Sequence, residues 1–263
     1  MFFNNKTVWI TGASSGIGEA LAYAFSVQGA NLILSARRVE ELERVKQLCK
    51  EPQKAVVLAF DLEKENNWTQ LAANAVGQFG SIDILVNNGG ISQRASAIET
   101  KPEVLGRLFK INFFAQVELT RAVLPYMQKH GSGNIVVMSS IAGKFGFFLR
   151  SGYSATKHAL HGYFESLMLE EEKNNISVHL ICPGKINTSI SYSAVTSDGS
   201  PHAKMDKSQE KGLSREDCAR QILNAIKNNK REVLIGGKEV FAYKIRRFFP
   251  SLFWKVIRKQ SPF

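Results

Sequence analysis

Seven short runs rich in β-branched and aliphatic residues recur along the chain, and longer segments with helical apolar spacing lie between them. The runs are Thr7–Ile10, Asn31–Ser35, Lys54–Phe60, Ile82–Val86, Asn134–Met138, Ile176–Ile181 and Glu232–Ile235. The clearest helical segments are Glu19–Val27 and Pro102–Met127. Because successive parallel strands need a crossover of a dozen or more residues, this alternation predicts an α/β fold: a doubly wound parallel sheet with helices on both faces.

The length of the chain fits one large domain of this kind. Its 263 residues are 44% hydrophobic and 22% charged, which are ordinary globular proportions. We expect residues 1–240 to form the domain. The polar stretch Ser189–Leu213 interrupts the alternation after a strand end, so it is predicted to be a lid that closes over a ligand. A surface insertion without that role is the alternative.

The charge of the chain is concentrated at its C-terminal end. Lys and Arg number 34 against 23 Asp and Glu, a net charge of +11. Residues 227–263 alone carry ten basic and two acidic side chains. This distribution argues against a nucleic-acid-binding face built into the fold and indicates a local interaction of the tail, residues 241–263.

The tail has an amphipathic helical pattern. One arc of the helix carries the apolar side chains of Ile245, Phe248, Phe249, Leu252, Phe253 and Val256. The opposite side carries Lys244, Arg247, Lys255 and Arg258. Pro250 is expected to kink or divide the helix. The pattern is typical of interfacial membrane contact, and packing on the chain's own domain or on a partner subunit explains it equally well.

The cysteines and the N-terminus predict a cytoplasmic protein, either free or held at a membrane surface by its tail. Cys49, Cys182 and Cys218 are odd in number, far apart and without CxxC spacing, which argues against a disulfide framework or a thiolate metal site. A strand-like run begins near Lys6, leaving no room for a signal peptide, and no apolar stretch reaches the roughly 18 residues of a membrane span.

The first strand runs directly into TGASSGIG, which places Gly12, Gly16 and Gly18 at the turn and at the start of the first helix. Glycines there let the backbone approach a pyrophosphate, and the free N–H groups of the helix favour its negative charge. A tight turn without a ligand is the alternative. The position after the first strand favours dinucleotide binding.

The second strand ends in SARR, where an acidic residue would bind the ribose 2′-hydroxyl of NAD. Arg37 instead offers a planar, bidentate donor for the 2′-phosphate of NADP(H), and Arg38 and Ser14 or Ser15 are candidates to assist it. Two solvated arginines at the start of a helix are the alternative.

Ser140 follows the fifth strand, and Tyr153 and Lys157 lie one helical turn apart in YSATK. A tyrosine with a pKa of about 10 becomes a usable acid and base when an ammonium and an oxidised nicotinamide favour its phenolate. On this hypothesis Ser140 binds the substrate oxygen while Tyr153 exchanges its proton. Taken alone, a tyrosine and a lysine one helical turn apart also occur by chance, which is the alternative.

These motifs together resemble those of the short-chain dehydrogenase/reductase family over roughly residues 5–240. The matching motifs are TGASSGIG at 11–18, Asp61-Leu62, NNGG at 87–90, Asn112, SSIAG at 139–143, YSATK at 153–157 and PGKINT at 183–188. The SARR turn and the basic, aromatic C-terminus are similar to the branch with the 11β-hydroxysteroid dehydrogenases and the family-member-7 dehydrogenase/reductases. The resemblance implies a single-domain, Rossmann-like fold and homodimers or homotetramers formed through long helices at 102–129 and 152–174.

The resemblance also assigns roles to individual residues. It implies a catalytic tetrad of Asn112, Ser140, Tyr153 and Lys157, in which Lys157 also bonds the nicotinamide ribose and Asn112 holds a water. It places Asp61 at the adenine amino group, Asn88 and Gly89 at the adenosine ribose, and Ile186 and Thr188 at the carboxamide. The predicted NADP(H)-binding residues are Gly12, Ser14, Ser15, Gly16, Ile17, Gly18, Arg37, Arg38, Asp61, Leu62, Asn88, Gly89, Gly90, Tyr153, Lys157, Pro183, Gly184, Ile186 and Thr188. The family commonly reads NNAG where this chain has NNGG, a change that leaves backbone contacts at Gly89 available.

The sequence therefore predicts an NADP(H)-dependent oxidoreductase that interconverts a carbonyl and a secondary alcohol. Phe145, Phe147 and Phe148 lie beside the predicted site and suggest a hydrophobic substrate, although core or subunit packing explains them equally well. His158 and His161 lie three residues apart, but no third ligand is suggested, so no metal is predicted. The competing functions are an NADPH-binding sensor or scaffold without catalysis and, among enzymes, an epimerase or dehydratase.

Overall fold

Seven parallel strands form one sheet at the centre of the molecule, which a computed structural model describes over residues 1–259. The strands are β1 (Thr7–Thr11), β2 (Asn31–Ser35), β3 (Ala55–Val57), β4 (Ile84–Asn87), β5 (Gly133–Met138), β6 (Ile176–Pro183) and β7 (Glu232–Ile235). Their order across the sheet is β3-β2-β1-β4-β5-β6-β7, and each neighbouring pair is parallel. The predicted doubly wound, seven-stranded fold is confirmed.

Helices connect the strands and cover both faces of the sheet. They are α1 (Gly16–Val27), α2 (Val39–Gln47), α3 (Trp68–Phe79), α4 (Pro102–Phe109), α5 (Ala115–His130), α6 (Ser151–Glu171), α7 (Lys207–Glu210), α8 (Arg215–Lys227), α9 (Phe241–Phe248) and α10 (Pro250–Arg258). A π-helical segment, Lys110–Phe114, joins α4 to α5. The predicted helix over 102–127 therefore contains a local widening that hydrophobic spacing does not reveal.

Alternate side chains of β1 enter two separate core layers. Val8 and Ile10 pack with the layer that contains α1 and α8, whereas Trp9 packs with the layer that contains α3, α5 and α6. All five residues of β1 are buried, as expected for a strand covered on both faces. The apolar run therefore reflects burial on both sides of the sheet.

The chain reverses direction across the sheet between β1 and β4. β1 pairs with β2 on one side and with β4 on the other, so the connections on its two sides lead to opposite edges of the sheet. Ligands of open α/β sheets bind in the crevice outside the carboxyl ends of the strands at such a reversal. The glycine-rich turn after β1 lies at this crevice.

The third strand is shorter than the predicted Lys54–Phe60. Only Ala55–Val57 pair in register with β2, although the N–H groups of Leu58 and Phe60 still donate to β2 and to the residue after it. Because β3 lies at the edge of the sheet, it has no second neighbour to hold the remaining residues in the ladder.

The tail is divided at Pro250, as predicted. Phe249 has a non-helical backbone, with φ −137° and ψ 65°, between α9 and α10. Phe253 and Ile257 are buried in a cluster with Ile141 and Phe145 of the main domain. The expected single apolar arc is therefore split, because some of its side chains face the domain and others face outward. Within residues 1–259, no helix has both the length and the apolar character needed to cross a bilayer.

Candidate active site

The turn between β1 and α1 depends on glycines for two separate reasons. Gly12 and Gly16 have φ of +65° and +61°, a left-handed conformation that residues with a side chain rarely adopt. A side chain at Gly18 would overlap the carbonyl oxygen of Gly12. The turn therefore leaves an open backbone cradle at the N-terminus of α1, where a pyrophosphate fits.

Thr11 ties this turn to the segment after β4. Its hydroxyl oxygen accepts the backbone N–H groups of Asn88 and Gly89, each at 3.0 Å. In return, the Asn88 amide donates to the carbonyl oxygens of Thr11 at 2.9 Å and Gly12 at 3.2 Å. The sequence analysis included Thr11 in the motif TGASSGIG but assigned it no role, because its bonds to the segment after β4 are tertiary contacts.

Gly89 and Gly90 keep the crevice open between the turn and the catalytic residues. A Cβ at Gly89 would lie 2.5 Å from Leu62 Cδ1, so the NNGG variation makes room for the Leu62 side chain. A Cβ at Gly90 would lie 2.9 Å from Asn112 Oδ1 and 3.9 Å from Lys157 Nζ. The backbone at Gly90, which is predicted to contact the cofactor, thus lies next to the predicted catalytic side chains of Asn112 and Lys157.

An open cavity of about 570 Å³ lies beyond the ends of β2 and β3, between Arg37 and Asp61. The carboxylate of Asp61 accepts the backbone N–H of Glu63 at 3.0 Å, which fixes its position at the cavity. Arg38 donates to the hydroxyl of Ser14 at 3.3 Å. Arg37 is exposed and lines the cavity.

The remaining predicted cofactor residues lie in or beside the glycine-rich turn and in the core layer next to it. Ser15 precedes α1 in an extended conformation, and Ile17 packs against the core layer of that helix. Thr188 is close to the turn, since its Cγ2 would be 3.4 Å from a Cβ at Gly16. Ile186 is buried and forms a bridge with Leu213.

Pro183 and Gly184 form the end of β6 and the turn that follows it. Pro183 is the last residue of the strand, and the N–H of Gly184 donates to Ile235 of β7 at 2.7 Å. A side chain at Gly184 would clash with the carboxylate of Glu239. A side chain here would have to displace this carboxylate, which accepts the backbone N–H of Lys185 at 2.9 Å.

Lys157 and Tyr153 lie together on α6. The Lys157 ammonium is 5.7 Å from the centre of the Tyr153 ring and donates to the carbonyl oxygen of Met138 at 2.7 Å. Burial lowers the pKa of Lys157 to about 8. The one hydrogen bond to Met138 holds the ammonium beside the ring.

Burial raises the pKa of Tyr153, while the Ser140 hydroxyl and the guanidiniums of Arg150 and Arg94 act in the opposite direction. Ser140 itself accepts the N–H of Ala142 at 3.1 Å and donates to Pro183 at 3.3 Å. Because the net shift is upward, the phenol is in its protonated form at neutral pH.

Asn112 lies in the π-helical segment and is fully buried. Its side-chain oxygen accepts the N–H of Ile91 at 2.8 Å, and its nitrogen donates to the Ile91 carbonyl at 2.9 Å and to Thr156 at 3.3 Å. The side chain therefore fixes the segment after Gly90 against α6. Short π-helical segments frequently occur at functional sites.

The segment after Gly90 and residues 189–213, the predicted lid, supply further groups near Tyr153, which the sequence analysis missed. Gln93 accepts the backbone N–H of Tyr153 at 3.1 Å, and Val195 of the lid forms a bridge with Gln93. Asp206 of the lid forms ion pairs with both Arg94 and Arg150. The predicted lid therefore contacts the residues that surround Tyr153.

The two candidate metal ligands of α6 do not face the same way. His158 bonds the carbonyl oxygen of Ser154 at 2.8 Å, whereas His161 lies 3.0 Å from the Ser139 hydroxyl and 3.2 Å from the Lys144 ammonium. The carboxylates of Glu165 and Glu232 lie near His161, but Lys144 also pairs with Glu232. The ammonium therefore occupies the position that a cation would need.

The phenylalanines after Ser140 have separate environments. Phe145 is buried and its ring centre lies 5.0 Å from that of Phe253 in the tail, and Phe147 packs in the same cluster. Phe148 is exposed. Core packing thus accounts for Phe145 and Phe147, and only Phe148 is free to line a substrate pocket.

Transfer of a hydride to a carbonyl carbon requires a dinucleotide beside a proton donor. The crevice at the β1–β4 reversal places a glycine cradle next to the pair Tyr153 and Lys157. The molecule is accordingly an oxidoreductase of the dinucleotide-binding α/β class, acting on alcohol or carbonyl groups.

Comparisons with known proteins place the chain within this class. The sequence profile described as short chain dehydrogenase matches residues 6–198. A dehydrogenase/reductase SDR family protein 7-like of Anopheles gambiae is 42% identical, covering 98% of this chain and 84% of its own length. Dehydrogenase/reductase SDR family member 7B of Mus musculus is 37% identical, over 99% and 82% of the two chains. A crystal structure of a short-chain dehydrogenase from Streptomyces avermitilis, 28% identical, superposes with a TM-score of 0.80 over 98% of this chain and 100% of its own. The chain belongs to the short-chain dehydrogenase/reductase family, in the branch of members 7 and 7B.

Proposed function

We propose that this protein is an NADP(H)-dependent oxidoreductase that interconverts a carbonyl and a secondary alcohol on a hydrophobic substrate, with Tyr153 as the general acid and base. The observation that carries the proposal is the Lys157 ammonium, buried 5.7 Å from the centre of the Tyr153 ring. Both groups lie at the same crevice as Gly90 and the glycine cradle.

The residues present fit a dinucleotide. Gly12, Gly16 and Gly18 leave space for a pyrophosphate at the start of α1, and the cavity between Arg37 and Asp61 is open on the adenosine side. The bound cofactor supplies or accepts the hydride. Arg37 supports NADP(H) over NAD(H), because its guanidinium lines the cavity at the position where an NAD-binding chain has an acid.

The phenol of Tyr153 carries its proton at neutral pH, as the proton donor in carbonyl reduction must. Burial raises its pKa further, which disfavours the phenolate. In the reverse direction the phenolate must form, so alcohol oxidation is expected to accelerate as the pH rises. The positive charges of Arg150 and Arg94 act against the rise of this pKa and stabilise the phenolate.

Ser140 and Asn112 position the reacting groups. The Ser140 hydroxyl is close enough to Tyr153 to lower its pKa, so we assign it to the substrate oxygen that Tyr153 protonates. The side chain of Asn112 is bonded to Ile91, so we assign it to holding the crevice wall beside Lys157.

The Tyr153→Phe variant tests the mechanism. Removal of the proton donor should lower kcat for NADPH-dependent carbonyl reduction by roughly 10²–10⁴-fold while NADPH binding, followed by calorimetry, remains. Tyr163→Phe removes a hydroxyl from the same helix and is the matched control, expected to retain activity. Substantial activity of Tyr153→Phe would exclude the mechanism. NADPH binding with no turnover on any carbonyl compound would instead favour the sensor function.

Exposed apolar side chains on the long helices support assembly into a dimer or tetramer. Leu105, Phe114 and Leu169 are 41%, 55% and 71% exposed on α4, the π-helical segment and α6. A surface of this kind is stabilised when a second copy covers it. The molecular mass in solution tests this assembly, and a monomer at micromolar concentration would exclude it.

Outward-facing residues of the tail support contact with a membrane surface by a cytoplasmic protein. Phe248, Phe249, Leu252 and Trp254 are about half to two-thirds exposed, although Phe253 beside them is buried. The basic side chains of the tail add attraction to anionic head groups. Phe148, also exposed, supports an apolar substrate.

A further inference from the structure

Two arginines flank Tyr153 on the substrate side of the crevice. Arg150 immediately precedes α6, and its carbonyl oxygen accepts the N–H of Ser154 at 2.8 Å. Arg94 follows Gln93, whose side chain bonds the backbone of Tyr153. Both guanidiniums lie close enough to Tyr153 to oppose the rise of its pKa.

The arginines are largely enclosed. The Arg94 side chain is only 8% exposed, and its Nη1 donates to the Gln93 carbonyl at 2.7 Å. The Arg150 side chain is 26% exposed and lies 6.0 Å from the ring centre of Phe147. Burial lowers the pKa of Arg94 to about 9, with the charge of Arg150 acting in the same direction. Enclosing two like charges next to each other is therefore costly unless an anion compensates them.

One carboxylate is shared between the two guanidiniums. Asp206 of the lid pairs with Arg94 and also with Arg150, at 3.1 Å from its Nη2. His202, in the same segment as Asp206, lies near the cluster: burial lowers its pKa, and the charges of Arg94 and Lys204 act in the same direction. One acid against two arginines leaves an excess positive charge beside Tyr153.

We propose that Arg94 and Arg150 bind an anionic group of the carbonyl substrate, a carboxylate or a phosphate monoester, and that the Asp206 carboxylate holds this position until the substrate replaces it. The inference rests on the proposed function, since it places the anion beside the carbonyl that Tyr153 protonates. Paired guanidiniums match the planar oxygen pair of a carboxylate and the oxygens of a phosphate. Asp206 lies in the lid, so opening of the lid removes it from the arginines.

Matched substrates test the proposal on the full-length enzyme with NADPH. The first series compares 4-acetylbenzoate with 4-acetylbenzamide. The second compares straight-chain oxo-carboxylates of increasing length with their amides. The third compares phosphate monoesters of hydroxy ketones with the free hydroxy ketones. The charged member of at least one series should have a kcat/KM roughly 10–100-fold above that of its neutral partner. The series that shows the preference distinguishes a carboxylate from a phosphate.

Variants separate anion binding from simple attachment of the lid. Arg94→Gln and Arg150→Gln should each lower the charged-to-neutral ratio about tenfold, and Asp206→Asn should lower KM for the charged ketone. Arg107→Gln is the matched control, because Arg107 pairs with Glu63 and also reaches the lid at Gly199 but lies outside the cluster. The control should leave the ratio unchanged.

The results distinguish failure of this inference from failure of the proposed function. The anion site alone would be overturned if neutral ketones are reduced and the charged-to-neutral ratio of kcat/KM is near one in every series. It would also be overturned if the arginine variants lose equal kcat/KM on charged and neutral ketones. If no ketone is reduced, the proposed function fails. In that case, calorimetry measures the binding of 4-acetylbenzoate and of inorganic phosphate to the complex of the protein with NADP⁺. If the arginine variants bind these anions as tightly as the unmodified protein does, the anion site is overturned.

Discussion

At the scale of single residues, Arg37 and Arg94 carry the same charge in opposite surroundings. Arg37 is exposed at an open cavity, where water screens its charge until a ligand arrives. Arg94 is enclosed and already paired. A ligand phosphate at Arg37 would therefore form a new charge-assisted hydrogen bond. An anionic ligand at Arg94 would instead replace the carboxylate of Asp206, which already pairs with this arginine.

The Arg37→Glu variant is expected to reduce the preference for NADPH over NADH by at least tenfold. The added carboxylate repels the 2′-phosphate and can accept a hydrogen bond from the 2′-hydroxyl of NADH. The ratio of kcat/KM for the two cofactors measures the effect. Arg220→Glu, at an exposed arginine of α8, is the control for the change of charge. An unchanged ratio in Arg37→Glu would remove Arg37 from the cofactor site.

Sequence reasoning identified residues whose backbone conformation or helical spacing is distinctive. Gly12, Gly16 and Gly18 follow a strand at fixed spacing, and Tyr153 and Lys157 are one turn apart. Thr11 begins the same motif, but its bonds to the segment after β4 are not visible in the sequence, and Arg94 and Arg150 have no distinctive spacing. They reach the site because separate elements converge there, which a sequence without tertiary contacts does not indicate.

At the scale of elements, the tail presents two different surfaces. Phe253 and Ile257 of α10 pack on Ile141 and Phe145, while Phe248 and Trp254 face outward. The periodicity of the tail predicted an amphipathic helix, and Pro250 predicted where it divides. The rotation of one helix relative to the other depends on packing against the domain, so the sequence did not separate the inner side chains from the outer ones.

Replacing outward-facing side chains should separate membrane binding from folding. The double variant Phe248→Ser/Trp254→Ser is expected to bind vesicles of mixed phosphatidylcholine and phosphatidylserine at least tenfold more weakly, because less apolar surface enters the bilayer. Its thermal unfolding temperature should stay within a few degrees of the unmodified protein, since both side chains are already exposed. Co-sedimentation with the vesicles measures binding.

The controls for this test use the inner surface and the lipid charge. Phe253→Ala should destabilise the protein by roughly 3 kcal/mol through loss of a buried ring, whatever the lipid. Vesicles of phosphatidylcholine alone should bind less, and added salt should weaken binding to the anionic vesicles. No binding by the unmodified protein, or equal binding by the double variant, would exclude this surface as a membrane contact.

At the scale of the whole molecule, the buried Lys157 links the active site to stability. An ordinary lysine has a pKa of about 10.5, whereas burial lowers that of Lys157 to about 8. Between these two pH values the unfolded chain binds a proton at this position that the folded protein does not. The free energy of unfolding therefore gains a favourable contribution from Lys157 as the pH rises from about 8 to 10.5.

The cofactor-free protein and its Lys157→Met variant should consequently differ in the pH dependence of stability. The unmodified protein should gain stability relative to the variant as the pH rises through that interval, because its native state no longer holds the charge. Urea unfolding at several pH values measures the difference. Lys173→Met, at an exposed lysine, should follow the unmodified protein. Parallel curves for the unmodified protein and Lys157→Met would contradict a lowered pKa.

The contact between Phe253 and Phe145 has a practical consequence for anyone handling this protein. Phe145 follows the serine assigned to the substrate oxygen by only a few residues, and its ring is covered by the tail. A C-terminal affinity tag or a shortened chain would therefore disturb the core packing behind Ser140 as well as the end of the chain. Preparations for enzymology should carry their tag at the other end or have it removed, because loss of turnover in a truncated form would otherwise be attributed to the wrong part of the molecule.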